Sequence, residues 1–217
     1  MPPSDRHRKP LWVRTSSRAA ALFGVRFYNM LYGERSLLGA LPRVEPPRTL
    51  QVREATARDL EQMGSELHPA QAEACRIAAG QDSRCVIALD GNEIAGYSWF
   101  NTCDIYLLSW RMQTLPAEGG YTYNSFVRPE HRGQKVFQCL TQAVYSRLAQ
   151  EGFRFCCNLV DRDNTPSIAA RRRLGAVFHP APILKLPGLD PIPLRALPFG
   201  STTQDSQNAS KVRSRSR

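Results

Sequence analysis

Arg132, Gly133 and Gln134, with Lys135 directly after them, fall in a turn-forming run, Arg128-Pro129-Glu130-His131-Arg132-Gly133-Gln134, between a strand-like and a helix-like segment. The chemistry such a turn offers is anion binding. The first backbone N–H groups of a helix lack internal acceptors and point outward together, and the aligned peptide dipoles add partial positive charge. Arg128, Arg132 and Lys135 add full charges, so a phosphate is the expected ligand. Farther on, Asn164-Thr165-Pro166-Ser167 opens a second short helix that Leu174-Gly175 closes. Read alone, Asn164 is an N-cap, Ser167 a first-turn hydroxyl and Gly175 a helix terminator.

These residues need a frame. Tyr121 to Val127, rich in aromatic and β-branched residues, is the expected central strand. Val136, Leu140, Val144 and Leu148 follow at four-residue steps, the core face of a helix that ends near Gly152. Phe153 to Val160 reads as the next strand, Asn164 to Leu174 as a helix with Pro166 in its first turn, and Ala176 to Phe178 and Ile183 to Leu186 as short closing strands. Upstream, Leu50 and Val52 alternate as a strand. Thr56-Ala57-Arg58-Asp59 caps a helix bearing Leu60 and Met63, and a second helix runs from Pro69 to Gly80. Cys85 to Leu89 and Ile94 to Phe100 pair across an Asp90-Gly91-Asn92 turn. Residues 102–118 fit either a strand or a short helix over the site.

This order over residues 50–187 is similar to the GNAT superfamily of N-acetyltransferases. Its phosphate loop reads Gln/Arg-x-x-Gly-x-Gly/Ala; here Arg132, Gly133 and Gln134 match in register, while Lys135 and Phe137 stand where small residues are usual. Its second motif, Asn-x-x-Ser/Ala-x-x-x-Tyr-x-x-Leu-Gly-Phe, is matched by Asn164, Ser167, Leu174 and Gly175, with Arg171 in place of the tyrosine. The resemblance implies an α/β (α+β) fold, GNAT-like and mixed, with a central twisted sheet of about seven strands and helices on both faces. It also implies acetyl-CoA as cosubstrate, with the pyrophosphate held by Arg132, Gly133, Gln134, Lys135, Val136 and Phe137, and with Asn164 and Ser167 beside it. Backbone N–H groups near Phe126 and Val127 are implied to bind the pantetheine arm and polarise the thioester carbonyl.

The activity implied is N-acetyl transfer to a primary amine of a small molecule, an amino sugar or a protein. With Arg171 at the tyrosine position, the acid toward the departing thiolate falls to Tyr121, Tyr123 or a water. Glu118 is either a general base or a solvated turn residue. Arg171-Arg172-Arg173 either contacts the adenosine phosphate or forms a solvated basic face. The departures at Lys135, Phe137 and Arg171 also leave room for a different class of function, a non-catalytic CoA-binding or interaction module.

Composition narrows the rest. The 217 residues carry a net charge of +10, yet residues 1–48 hold nine Lys/Arg against three Asp/Glu and residues 49–200 hold sixteen against fifteen. The positive charge belongs to the ends, so a nucleic-acid-binding core is not expected. Six cysteines form no C-x-x-C pair and no Cys/His cluster with zinc spacing, which argues for buried thiols in a reducing, cytoplasmic setting and for no metal. No apolar run approaches the roughly 20 residues that span a bilayer. The expected organisation is a basic extension over 1–48, a folded domain over 49–187, and a proline-rich segment with a basic tail over 188–217. Within the extension, residues 1–17 read as disordered and residues 42–48 as a stiff linker. Between them, Phe23, Phe27, Met30 and Leu31 recur at helical spacing and mark an amphipathic helix over Arg18 to Tyr32. That helix is expected to pack on the domain or bind a partner, with peripheral membrane contact or organelle targeting as alternatives.

Overall fold

The structure, a computed structural model, describes residues 24–202. The expected disorder of residues 1–17, most of the basic tail and the first part of the expected amphipathic helix lie outside the described residues. Eight strands form one sheet in the order β10-β9-β1-β8-β7-β4-β3-β2, and β5 with β6 forms a separate hairpin. The strands are β1 (Arg26–Ser36), β2 (Leu50–Glu54), β3 (Arg84–Asp90), β4 (Glu93–Asn101), β5 (Asp104–Leu107), β6 (Trp110–Thr114), β7 (Gly119–Val127), β8 (Phe155–Asp161), β9 (Val177–Lys185) and β10 (Ile192–Pro193). The helices are α1 (Ala57–Glu66), α2 (Pro69–Ala79), α3 (Val136–Gln150) and α4 (Thr165–Arg173).

Helices cover both faces of the sheet, as expected. Leu140, Val144 and Leu148 of α3 pack with Val86, Ala88, Phe100 and Cys156 on one side. Met63 of α1 and Cys75 and Ala78 of α2 pack with Ile87, Tyr97 and Trp99 on the other. The α1 start is a reciprocal capping box: Asp59 N–H donates to Thr56 Oγ1 at 3.3 Å, and Thr56 N–H donates to Asp59 Oδ2 at 2.6 Å. Residues 102–118 resolve as the β5–β6 hairpin, with Tyr106 stacked on Tyr123 at 6.0 Å.

Three expectations change. Where the described residues reach it, the expected helix over Arg18 to Tyr32 is strand β1, held between β8 and β9. Four residues at helical spacing cannot outweigh two full strand ladders, and Gly33 permits the close fit: a Cβ there would lie 2.5 Å from Phe178 and 2.7 Å from Asn158. The two expected closing strands are one, β9. Pro180 and Pro182 hide it in the sequence, and they are admitted because β10 covers only Ile183 and Leu184 of the outer edge. The sheet thus has eight strands, and it extends beyond residues 49–187 at both ends. Glu34 of β1 ties in the far end of the chain, accepting from Tyr32 Oη (2.5 Å), Gly200 N (2.9 Å), Thr202 N (2.9 Å) and Thr202 Oγ1 (2.7 Å). Residues 42–48, expected as a linker, are fastened to α3: Gln142 donates to the Pro42 carbonyl at 2.8 Å and accepts from Val44 N–H at 2.9 Å.

Candidate active site

The site begins with a failure of pairing. β7 and β8 are the only parallel neighbours in the described sheet, and they pair only from Gly119–Tyr121 to Phe155–Cys157. Gly119 allows that contact, since a Cβ there would lie 2.6 Å from its partner Phe155, and Gly120 lets α3 approach, since a Cβ there would lie 2.4 Å from Leu148. Beyond Tyr121 and Cys157 the strands part, and a cleft of about 700 Å³ opens between Thr122–Val127 and Asn158–Asp161. A bulge in β7 sharpens the parting. Tyr97 faces Phe126 while Trp99 faces Tyr123, so two β7 residues oppose one of β4, and Asn124 takes φ +41°. Arg128 N–H donates to the Ala95 carbonyl at 2.9 Å. Strand alternation therefore turns the main chain of Phe126 toward β4 and that of Val127 toward the cleft.

The mouth of the cleft is the loop before α3. Gly133 has φ +80° and faces open space, for an added Cβ would meet nothing within 4 Å. Lys135, the residue before α3, is left-handed at φ +63°, and no side chain caps the helix. The first internal bond is Cys139 N–H to the Lys135 carbonyl at 3.0 Å, so the N–H groups of Val136, Phe137 and Gln138 have no helical acceptor. Arg132, Lys135, Arg171 and Arg173 line the cleft against a single carboxylate, Asp161. Three free N–H groups, a helix dipole and an excess of cations suit a polyanion such as a pyrophosphate.

Residues 49–176 match the Acetyltransferase (GNAT) family. The chain belongs to that family. No curated protein is matched, but solved structures share the fold. A Drosophila protein superposes with a TM-score of 0.52 at 13% identity, over 81% of this chain and 57% of that one. A fungal multi-domain β-N-acetylglucosaminidase with a GCN5-related glucosamine N-acetyltransferase region gives 0.52 at 13% identity, over 80% of this chain and 22% of that one. A conserved protein of unknown function from Staphylococcus epidermidis gives 0.50 at 10% identity, over 82% and 69%. The chain thus spans little more than half of the fly protein and about a fifth of the fungal one.

On this GNAT frame the residues singled out from sequence divide. Phe126, Val127, Arg132, Gly133, Lys135, Val136, Phe137, Asn164 and Ser167 all line the cleft. Asn164 also caps α4, accepting from Ser167 N–H at 3.3 Å. Gln134 stands outside, exposed, with its amide donating to the Glu130 carbonyl at 3.1 Å. Glu118 precedes β7 at the end remote from the cleft and lies 3.6 Å from Arg154. Tyr121 is fully buried, donates to the Tyr106 carbonyl at 2.5 Å and does not line the cleft; burial raises its pKa far above the usual tyrosine range. Tyr123 does line it, with its hydroxyl 2.7 Å from Ser83 Oγ and donating to Gln81 Oε1 at 2.9 Å. Burial pushes that hydroxyl up to about 12.

Sequence reasoning passed over several polar residues that reach the cleft, among them Asn124 at the bulge, Asn158 on β8 and Asp161 at the end of β8. No motif marks them; only the parting of β7 from β8 brings them together. Arg171, expected either to contact the adenosine phosphate or to lie on a solvated basic face, is buried, with its guanidinium 5.1 Å from the centre of the Phe137 ring. Glu93, Glu130 and His131 also cluster, but Arg128 threads among them at 3.2 Å from Glu93, an ion-pair arrangement. A second groove of about 690 Å³ runs between α1 and α2, with Cys75 and Trp99 among its lining.

Proposed function

We propose that the protein is an acyl-CoA-dependent N-acyltransferase, with acetyl-CoA the reference donor and a primary amine the acceptor. The observation that carries this reading is the coincidence at one cleft of an uncapped helix start, a left-handed Gly133/Lys135 loop and a splayed parallel strand pair. Val136, Phe137 and Gln138 offer N–H groups to the pyrophosphate, Lys135 and Arg132 supply charge, and Val127 offers a main-chain edge to the pantetheine arm.

In the transfer, the amine nitrogen attacks the thioester carbonyl, the C–N bond forms and the C–S bond breaks. The nitrogen loses a proton and the thiolate gains one. Tyr123 is the one tyrosine among the residues lining the cleft, but its hydroxyl, at about 12, is a far weaker acid than a thiol of about 8.5, so full proton transfer from it runs uphill. Tyr123 therefore turns its one O–H from Gln81 to hydrogen-bond the departing sulfur, and water supplies the proton. Tyr121, committed to Tyr106, holds the strand in place.

Thiol release from acetyl-CoA, followed across a panel of amines with the full chain, tests the reading. Amine-dependent release is expected, with Tyr123→Phe lowering kcat by about 10-fold, the loss of one hydrogen bond to a charged group, and not by the ~1,000-fold of a lost general acid. Tyr121→Phe lowers stability by about 1 kcal/mol and leaves KM for acetyl-CoA near wild type. Tight acetyl-CoA binding with no transfer to any amine would replace the enzyme by a CoA-binding module.

A further inference from the structure

Eleven buried side-chain polar atoms lack a partner among the described residues, and five of them belong to residues that line the one cleft: Asn124 Nδ2, His131 Nε2, Asn158 Nδ2, and Arg171 Nε and Nη1. Two of these residues mark its inner end. Asn158 is the first β8 residue after Cys157, the last one paired with β7. Arg171 lies close enough to Cys156 and Tyr121 to oppose the rise that burial causes in both side chains, and it acts likewise on the Tyr145 hydroxyl. Asn158 is 2% exposed and Arg171 3%.

A guanidinium is charged at any physiological pH, and a buried charge without a counter-charge is costly. Neutral thiols and hydroxyls give it none. Neither α3 nor α4 contains an acidic residue. Asp161, the one carboxylate lining the cleft, is exposed and accepts from Asp163 N–H, and the buried carboxylate on β1, Glu34, is committed to Tyr32, Gly200 and Thr202. The acetyl methyl group offers these donors nothing. A planar fork and an amide N–H lining the same cleft suit a planar carboxylate, whereas phosphates are served by the loop at the mouth.

We infer that the inner end of the cleft is built for an acyl group that ends in a carboxylate, delivered as the coenzyme A thioester of a dicarboxylic acid and held by Arg171 and Asn158. The inference rests on the acyl-CoA reading above and names its acyl class. Calorimetric titration of the full chain with CoA, acetyl-CoA and succinyl-CoA tests it. Succinyl-CoA should bind about tenfold or more tighter than acetyl-CoA, as one charge-assisted pair requires. Arg171→Met, which keeps the apolar stem over Phe137, should erase that difference whatever it does to the affinity common to both thioesters, and Asn158→Ala should narrow it. Equal wild-type affinities for the two thioesters would overturn the inference and leave the acyl-CoA reading standing. So would free CoA binding tighter than both, a preference lost in Arg171→Met, because Arg171 would then serve the thiolate. Failure to bind any of the three would overturn the acyl-CoA reading itself, and the inference with it.

Discussion

Lys135 shows how one residue can serve binding at the expense of stability. Its left-handed backbone, φ +63°, is what glycine adopts freely and what a residue with a Cβ adopts at a cost of about 1 kcal/mol. Family members usually place a glycine at this loop position, and the geometry explains why. Lys135→Gly should therefore raise the denaturation midpoint by the equivalent of about 1 kcal/mol while weakening CoA about tenfold through loss of a charged contact. Chemical denaturation and calorimetry on the same variant would separate the two effects. Unchanged CoA affinity would make the lysine a solvated side chain. Arg171 is the opposite case: its place in the motif was legible, but its burial was not, because sequence spacing does not say which face of a short helix meets a neighbouring strand.

At the scale of elements, legibility followed the range of the interactions involved. Thr56 and Asp59, three residues apart, announce the start of α1 correctly, as Asn164 does for α4, because caps are local. The four-residue steps of α3 were equally clear. β1 was not, since Phe27, Met30 and Leu31 mimic a helix and only partners more than a hundred residues away make them a strand. The cleft was invisible for the same reason. The same helix ends carry an acid sensitivity. Hydrogen bonds from Arg84, aided by Arg147, hold the Glu151 carboxyl down to about 2, and the Arg53 guanidinium holds Asp59 well below the usual carboxylate range. Folded-state pKa values below the unfolded ones contribute stability that is present above about pH 4 and is lost as pH falls toward the folded values. Urea midpoints should thus decline between about pH 4.5 and pH 2, and Arg84→Met should flatten that decline. An equally steep decline in Arg84→Met would assign the acid lability elsewhere.

Across the whole molecule, a near-neutral central region flanked by basic ends carries one concentrated positive site, the cleft where four cations face one carboxylate. No helix among the described residues is long and apolar enough to cross a membrane. We propose that this cleft grips the phosphates of coenzyme A at the start of α3. Titration of the full chain with CoA and with pantetheine, which lacks those phosphates, across a salt series tests it most directly. CoA should bind at least about tenfold tighter than pantetheine at low ionic strength, and that advantage should shrink as salt screens the charged contacts. Equal affinity for CoA and pantetheine, unmoved by salt, would contradict the account.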